Sequence, residues 1–243
     1  MASDIDNKLP FRKRHPTLVR AVLLSLTFLV CLGAGTIYGS WALICRGNQC
    51  PSIEILAEYT PHQTSKLYAV DGRFIAELGL ERRTLVKIDE IPKIVQDAFV
   101  STEDKRFYQH AGIDWHRAAS VVIRSPLHGY SQGFSTITMQ LARNVFPEKI
   151  SREKSIVRKL KEAKVSRAIE SKYDKKKILE LYLNQIDLGH GAYGVETASQ
   201  RYFGKSVRDL NLAEAATLAA LPKAPARYNP VRYPERAIQR RNT

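Results

Sequence analysis

Twenty-five consecutive residues without a charge, AVLLSLTFLVCLGAGTIYGSWALIC from Ala21 to Cys45, constrain this chain more than any other feature. As a helix rising ~1.5 Å per residue, the run spans the ~30 Å hydrocarbon core of a bilayer with room for tilt. Lys8, Arg12, Lys13, Arg14 and Arg20 precede it, and only Arg46 follows closely. Cationic flanks stay on the cytoplasmic side, so the N-terminus is expected there and everything after Arg46 on the exported side. A cleaved signal peptide is the competing reading, because GAG after an apolar run resembles a cleavage site. The apolar stretch Trp41 to Cys45 continues past it and favours a retained anchor. The expected layout is a cytoplasmic basic tail (1–20), an anchor (21–45), a linker (46–65), a folded domain (66–232) and a tail or the start of a further linker (233–243).

Charge points to the class of partner. Lys and Arg total 38 against 24 Asp and Glu, a formal net charge of +14. That excess favours nucleic acid, phospholipid or a phosphorylated substrate and says nothing about fold. Thirteen Lys/Arg but five Asp/Glu fall between Arg143 and Lys177, a concentrated cationic stretch. Its position on the exported side argues against nucleic acid. Of three cysteines, Cys31 lies inside the apolar run, whereas Cys45 and Cys50 fall at its exported end and are free to pair in an oxidising compartment. With no other cysteine and His62 the nearest histidine, zinc is not indicated.

Periodicity gives the fold class. KLYAVDGRFIAEL alternates around Asp71-Gly72, a β-hairpin signal. From Ile91 the apolar spacing becomes three and four, in IPKIVQDAFVSTED, STITMQLARNVF, SIVRKLKEAKVSRAIE, KKKILELYLNQI and NLAEAATLAAL. Asn211 with Glu214 forms a capping box for the last, and Gly189, Gly191 and Gly194 break the pattern between helices. The expectation is a mainly α domain with a minor β element near the membrane.

Three clusters could carry chemistry. In STEDKRFYQHAG, Glu103 ends an apolar helical run, where burial raises a carboxyl pKa while Lys105 and Arg106 pull it back. A carboxylate so balanced can serve as general acid or base; an ordinary charged helix end explains the same residues. In REKSIVRKLKEAK, Lys154, Arg158, Lys161 and Glu162 share one helical face, suiting an anion, with Glu162 either holding a metal or tuning the cluster. An Arg158–Glu162 pair on a solvated helix is the plainer account. In QGFSTITMQLARN, Ser135, Thr136, Thr138, Gln140, Arg143 and Asn144 gather hydroxyls and amides at a helix start, where phosphate or sugar oxygens bind, or where Ser135 or Thr136 merely caps. There is no HExxH, GxxxxGK[ST] or GxGxxG. GFSTI lacks the last glycine of a nucleophile elbow, and SREK has no partner motif of a penicillin-reactive site.

Taken together and in order, these segments resemble the glycosyltransferase domain of peptidoglycan polymerases, the class A penicillin-binding proteins and their monofunctional relatives. EDKRFYQHAGID is similar to that family's E-D-x-x-F-x-x-H-x-G, GFSTITMQLARN to G-x-S-T-I-T-x-Q, and RKLKEA to R-K-x-x-E. ILELYLNQIDLGHGAYGVETASQRYFGK and LNLAEAATLAALPKAPARYNP resemble the fourth and fifth motifs, so the likeness runs from about Leu67 to Pro230.

The resemblance implies a lysozyme-like larger lobe, a smaller lobe facing the membrane, and polymerisation of lipid II onto a growing glycan strand. It implies Glu103 as general base and Glu162 as a second acid near the leaving pyrophosphate. Ser135, Thr136, Gln140, Arg143, Lys154, Arg158, Lys159 and Asn184 are implied as substrate-binding. Mg²⁺ or Mn²⁺ is implied as a stimulatory cofactor with Asp104 as ligand. The implied partners are lipid II, the strand, the membrane and other cell-wall synthesis proteins; the implied place is the bacterial cytoplasmic membrane. Phe134 and Met139 replace a glycine and a glutamine usual in the family, Met139 removing one amide from the site. A naturally monofunctional enzyme, a truncated bifunctional protein and a fragment are all consistent with the short C-terminal tail. Two other functions stand beside polymerisation: a non-catalytic module binding lipid II or cell-wall machinery, and a lytic muramidase-like enzyme.

Overall fold

The computed structural model describes residues 16–57, 59, 65–78, 82–128, 133–151, 153 and 155–243. The chain divides between Gln49 and Cys50 into two compact units. In the first, helix α1 (Pro16–Leu43) has no buried residue, and its most apolar window has mean hydropathy 2.1. Among the described residues it alone is long and apolar enough to cross a membrane. It starts ahead of the uncharged run because proline suits a first helical turn, and it takes in Arg20. The hydroxyls of Thr27 and Thr36 donate to Leu23 O (2.9 Å) and Gly33 O (2.8 Å), so these two side chains are satisfied within the helix. Cys31 is free; Cys45 is disulfide-bonded, as is Cys50.

The second unit opens with a short 3₁₀ turn (Ile53–Ala57) whose Leu56 is fully buried in the hydrophobic core, so part of the expected linker belongs to the fold. Strands β1 (Ser65–Tyr68) and β2 (Phe74–Leu78) pair antiparallel, Ser65 opposite Leu78 and Leu67 opposite Ala76. Gly72, at φ 82°, makes the turn between them, and Asp71 accepts the Arg73 N–H at 3.0 Å. A second, two-residue pairing is parallel: β3 (Arg82–Arg83) with β4 (Ala192–Tyr193).

The remainder is helical: α2 (Lys93–Glu103), α3 (Trp115–His128), α4 (Ile137–Val145), α5 (Ile156–Lys172), α6 (Lys175–Gln185), α7 (Val195–Phe203), α8 (Leu212–Ala220) and α9 (Pro234–Arg241). The five periodic stretches became α2, α4, α5, α6 and α8. Helix starts follow local chemistry: Thr136, Ser155 and Asp174 each accept a backbone N–H at the first turns of α4, α5 and α6. Asn211 and Glu214 form the expected capping box. Helix α4 packs against α5 and α6, and α8 against α2 and α9. Phe99, Phe107, Ile137, Leu141, Ile169 and Tyr182 fill the centre.

Two glycines set how closely loops approach this core. At Gly112 (φ 88°) a Cβ would stand 2.8 Å from the Ser166 backbone, so the loop after Glu103 lies directly on α5. At Gly194 (φ 82°) it would stand 2.7 Å from Asn184 O, pressing the turn before α7 onto α6. Residues 233–243, expected to be a tail, instead carry α9, whose Ala237 is buried. Alanine and the apolar face of a short charged helix give a weak periodic signal, and its packing against α8 is what orders it.

Candidate active site

Helix α4 organises the candidate site because it reaches both acids. Gln140 Nε2 donates to Glu103 Oε2 at 2.8 Å, and Arg143 Nη1 donates to Glu162 Oε1 at 3.0 Å. Residues three apart on a helix lie on one face, ~5–6 Å between Cβ atoms, so the two carboxylates are held by adjacent rungs of one element.

Glu103 is the last residue of α2 and is half-buried. Burial pushes its carboxyl above the ordinary range. The Gln140 hydrogen bond and the guanidiniums of Arg240 and Arg117 oppose that rise, while Asp104 adds to it. Arg117 Nη1 also donates to Glu103 O at 2.8 Å, fixing the helix end. The carboxyl therefore has a neutral amide as its one side-chain hydrogen-bond partner among the described residues. Such a group can gain or lose a proton without breaking an ion pair.

Glu162 is the opposite case. It is fully buried, and Oε1 accepts from Arg143 and from Arg158 Nη1 (2.7 Å) while Oε2 accepts from Lys159 Nζ (2.6 Å). Lys159 also donates to Ser135 Oγ and lies 5.2 Å from the centre of the Phe134 ring. Burial pushes the Lys159 ammonium down from its usual value, with Glu162 opposing. Three cations around one carboxylate leave an excess of positive charge, held in place before any anion arrives. Ser135, Gln140, Arg143, Arg158, Lys159, Glu103 and Glu162 are thus brought together. Lys154 lies outside the described residues.

Three expected assignments are corrected by geometry. Thr136 is fully buried: its Oγ1 donates to Gly112 O at 2.7 Å and accepts the Met139 N–H at 3.2 Å, so it caps α4 and is closed to substrate. Asn184 spends its whole amide on backbone. Its Oδ1 accepts from Val86 N at 2.9 Å, and Nδ2 donates to Val86 O at 2.8 Å and Glu180 O at 2.9 Å. It fastens an extended segment to α6 and has no hydrogen left for a sugar.

Asp104, expected to hold a metal, is 1% exposed. Its Oδ2 accepts the Ile137 N–H at the start of α4 (3.0 Å), and His110 Nε2 lies 3.1 Å from both oxygens. Among the described residues no three His, Cys, Asp or Glu gather as a metal would need. Both Asp104 oxygens are thus engaged by the start of α4 and by His110, which leaves this carboxylate poorly placed to ligate a cation. Asp104 instead ties the loop after Glu103 to α4. Met139 is also fully buried, so this departure changes the core and not the site.

Sequence reasoning missed Arg117 and Arg240. Asp114 Oδ1 accepts the Arg117 N–H at 3.0 Å, and this D-x-x-R start of α3 was the available signal. Arg240 sits in the segment read as a tail, where no pattern pointed back to Glu103.

Comparison with known proteins gives this geometry a family. The Transglycosylase family model matches residues 71–243, which contain every residue of the site. The chain belongs to the transglycosylase family. Penicillin-binding protein 1A of Aquifex aeolicus is 52% identical over 197 residues, 79% of this chain and 26% of that protein. Penicillin-binding protein 1A of Escherichia coli K12 is 45% identical over 227 residues, 92% of this chain and 26% of that protein. This transglycosylase chain thus spans about a quarter of the length of those curated relatives. A crystal structure of penicillin-binding protein 1A from Haemophilus influenzae matches 76% of this chain and 18% of that one, at 30% identity and a TM-score of 0.42.

Proposed function

We propose that this chain polymerises lipid II into the β-1,4 glycan strands of peptidoglycan. The observation that carries the reading is the pair of unlike carboxylates held against one face of α4: Glu103 met by the Gln140 amide and Glu162 locked by cations. Glu103 takes the proton from the 4-hydroxyl of the acceptor's GlcNAc. That oxygen forms a bond to C1 of the terminal MurNAc of the growing strand. The C1–oxygen bond to pyrophosphate breaks, and its electron pair leaves with undecaprenyl pyrophosphate, inverting α to β.

Charge grows on the leaving oxygens as the bond stretches. Arg143, Arg158 and Lys159, already aimed by Glu162, stabilise that charge without rearranging. Ser135, held by Lys159, and Gln140 supply hydroxyl and amide contacts to the same substrate. No step is routed through Mg²⁺ or Mn²⁺, which would bind through one or two carboxylates together with the substrate's phosphates and lend charge to the leaving group.

A lytic reaction of the lysozyme type needs a strong acid for a poor sugar leaving group. Pyrophosphate leaves readily, so a base and a cation cluster are the matching equipment. We further read the second unit as a lysozyme-like larger lobe with a smaller membrane-proximal one. Helix α1 serves as a single-pass anchor in the bacterial cytoplasmic membrane, N-terminus inside. Anchoring confines enzyme and lipid substrate to one surface and raises their effective concentration.

Detergent-solubilised protein given labelled lipid II tests the reading. Polymer with release of undecaprenyl pyrophosphate supports it. Binding of lipid II without polymer points to a binding module, and shortening of added glycan strands to a lytic enzyme.

A further inference from the structure

A further buried carboxylate lies outside the pair held by Gln140 and Arg143. Glu170 stands in the last turn of α5, its side chain 4% exposed. Its Oε1 accepts from Thr138 Oγ1 at 2.5 Å, and its Oε2 meets Lys175 Nζ at 2.5 Å. Lys175 is the first residue of α6. Its ammonium also donates to His110 O at 2.7 Å and lies 4.4 Å from the centre of the fully buried Phe107 ring. One ion pair therefore joins four segments: α4 through Thr138, the end of α5, the start of α6, and the loop that follows Glu103.

Helix stability does not account for this pair. A carboxylate in a last turn and an ammonium in a first turn each oppose the helix dipole. A buried ion pair also gains little over apolar side chains of the same volume. What it does supply is a fixed spacing. Thr138 and Gln140 are two residues apart on α4, ~200° around the helix, so they face opposite ways. Gln140 reaches Glu103, while the fully buried Thr138 is tied back to Glu170. On the loop, Lys175 holds His110 O, and the His110 ring meets Asp104, the residue next to Glu103. We propose that Glu170 and Lys175 are positioning residues that set the gap between α4 and the end of α2, where Glu103 stands. The proposal rests on the proposed function, in which Glu103 must meet the acceptor hydroxyl at hydrogen-bond distance. Both residues act through Thr138 and the loop, not by contact with substrate.

The test compares the detergent-solubilised chain with the Glu170→Gln/Lys175→Met variant, which removes the pair without stranding a charge; a cooperative melt establishes its folding. Polymerisation of lipid II by this variant should lose about tenfold in kcat with KM held, because misplaced catalytic groups cost rate rather than binding. Lys175→Arg, which keeps the cation, should retain most of the parental rate. In the Glu103→Gln background the double change should cost less than about twofold, since the group it positions is gone. A kcat within about twofold of the parent, or an equal cost with and without Glu103, would overturn the proposal. Hydrogen exchange reads the clamp without activity. The amides of Phe107, Gln109 and Ile137 bond to Asp104 O, Arg106 O and Asp104 Oδ2. Their protection should fall about tenfold in the variant while that of α8 is kept, and unchanged protection would overturn the clamp. Should the parent make no polymer at all, the proposed reaction fails and the exchange result alone decides the clamp.

Discussion

Glu103 and Glu162 are the same side chain in two environments, and the difference separates proton chemistry from charge storage. Glu103 is half-buried, meets one neutral amide, and has its carboxyl pushed up by burial. Glu162 is completely buried and meets three cations. Desolvation acts on both. What decides the role is whether the neighbours compensate the charge. A carboxyl without an ion-pair partner is poised to take a proton, whereas one met by three cations serves to fix those cations in place.

Exchanging each acid for its amide is the sharpest way to break this comparison. Glu103→Gln should lower polymer formation by roughly 10²- to 10⁴-fold, as loss of a general base does, with the fold intact. Glu162→Gln should also reduce the rate, and should in addition destabilise the fold by about 3 kcal/mol, because three gathered cations lose their counter-charge. Urea unfolding measures that difference.

The stability of Glu103→Gln should also carry a pH signature. A carboxyl raised in the folded state stabilises while protonated, and that contribution is lost as pH rises through its folded pKa. Glu103→Gln escapes the loss, so its melting temperature should gain on the parent's as pH rises above the ordinary carboxylate range. A melting temperature of Glu103→Gln that tracks the parent's at every pH would contradict a carboxyl raised by burial.

Smaller effects test the reassigned residues. Asn184→Ala should cost about 2 kcal/mol by stranding the Val86 N–H and C=O, with the lipid II KM unchanged. Thr136→Val should cost roughly 1–2 kcal/mol as a lost helix cap. A selective rise in KM in either variant would restore it to the substrate site. The mildest change is Gln140→Leu. Removing a hydrogen bond that lowers the Glu103 pKa should move the acidic limb of the rate profile to higher pH.

Much of this was legible in the sequence, for reasons that also mark where legibility ends. Helices α2, α4, α5, α6 and α8 showed themselves because their apolar residues repeat over several turns. The Arg158–Glu162 pair followed from helical spacing alone, whereas the sequence put Lys161 on the face where the fold uses Lys159. Ser135 and Thr136 could not be told apart, because the cap geometry of α4 decides which hydroxyl turns inward. Asn184 looked available for sugars, since its real partner, Val86, is 98 residues away. Asp104 looked like a metal ligand until the start of α4 arrived beside it, 33 residues later in the chain. Arg240 is the extreme case: only the packing of α9 on α8 brings the last helix into a unit whose base lies at the end of α2. Local pattern reveals elements and pairs within them; roles that depend on long-range closure emerge only with the fold.

The rate of lipid II polymerisation as a function of pH, in the parent and in Glu103→Gln, tests the central claim most directly. The account predicts a parent rate that rises with deprotonation of a group above the ordinary carboxylate range, and a variant slowed about 10²-fold or more with that limb gone. A variant that keeps both the parental rate and the same acidic limb would show that the proton goes elsewhere, and that Glu103 is not the base.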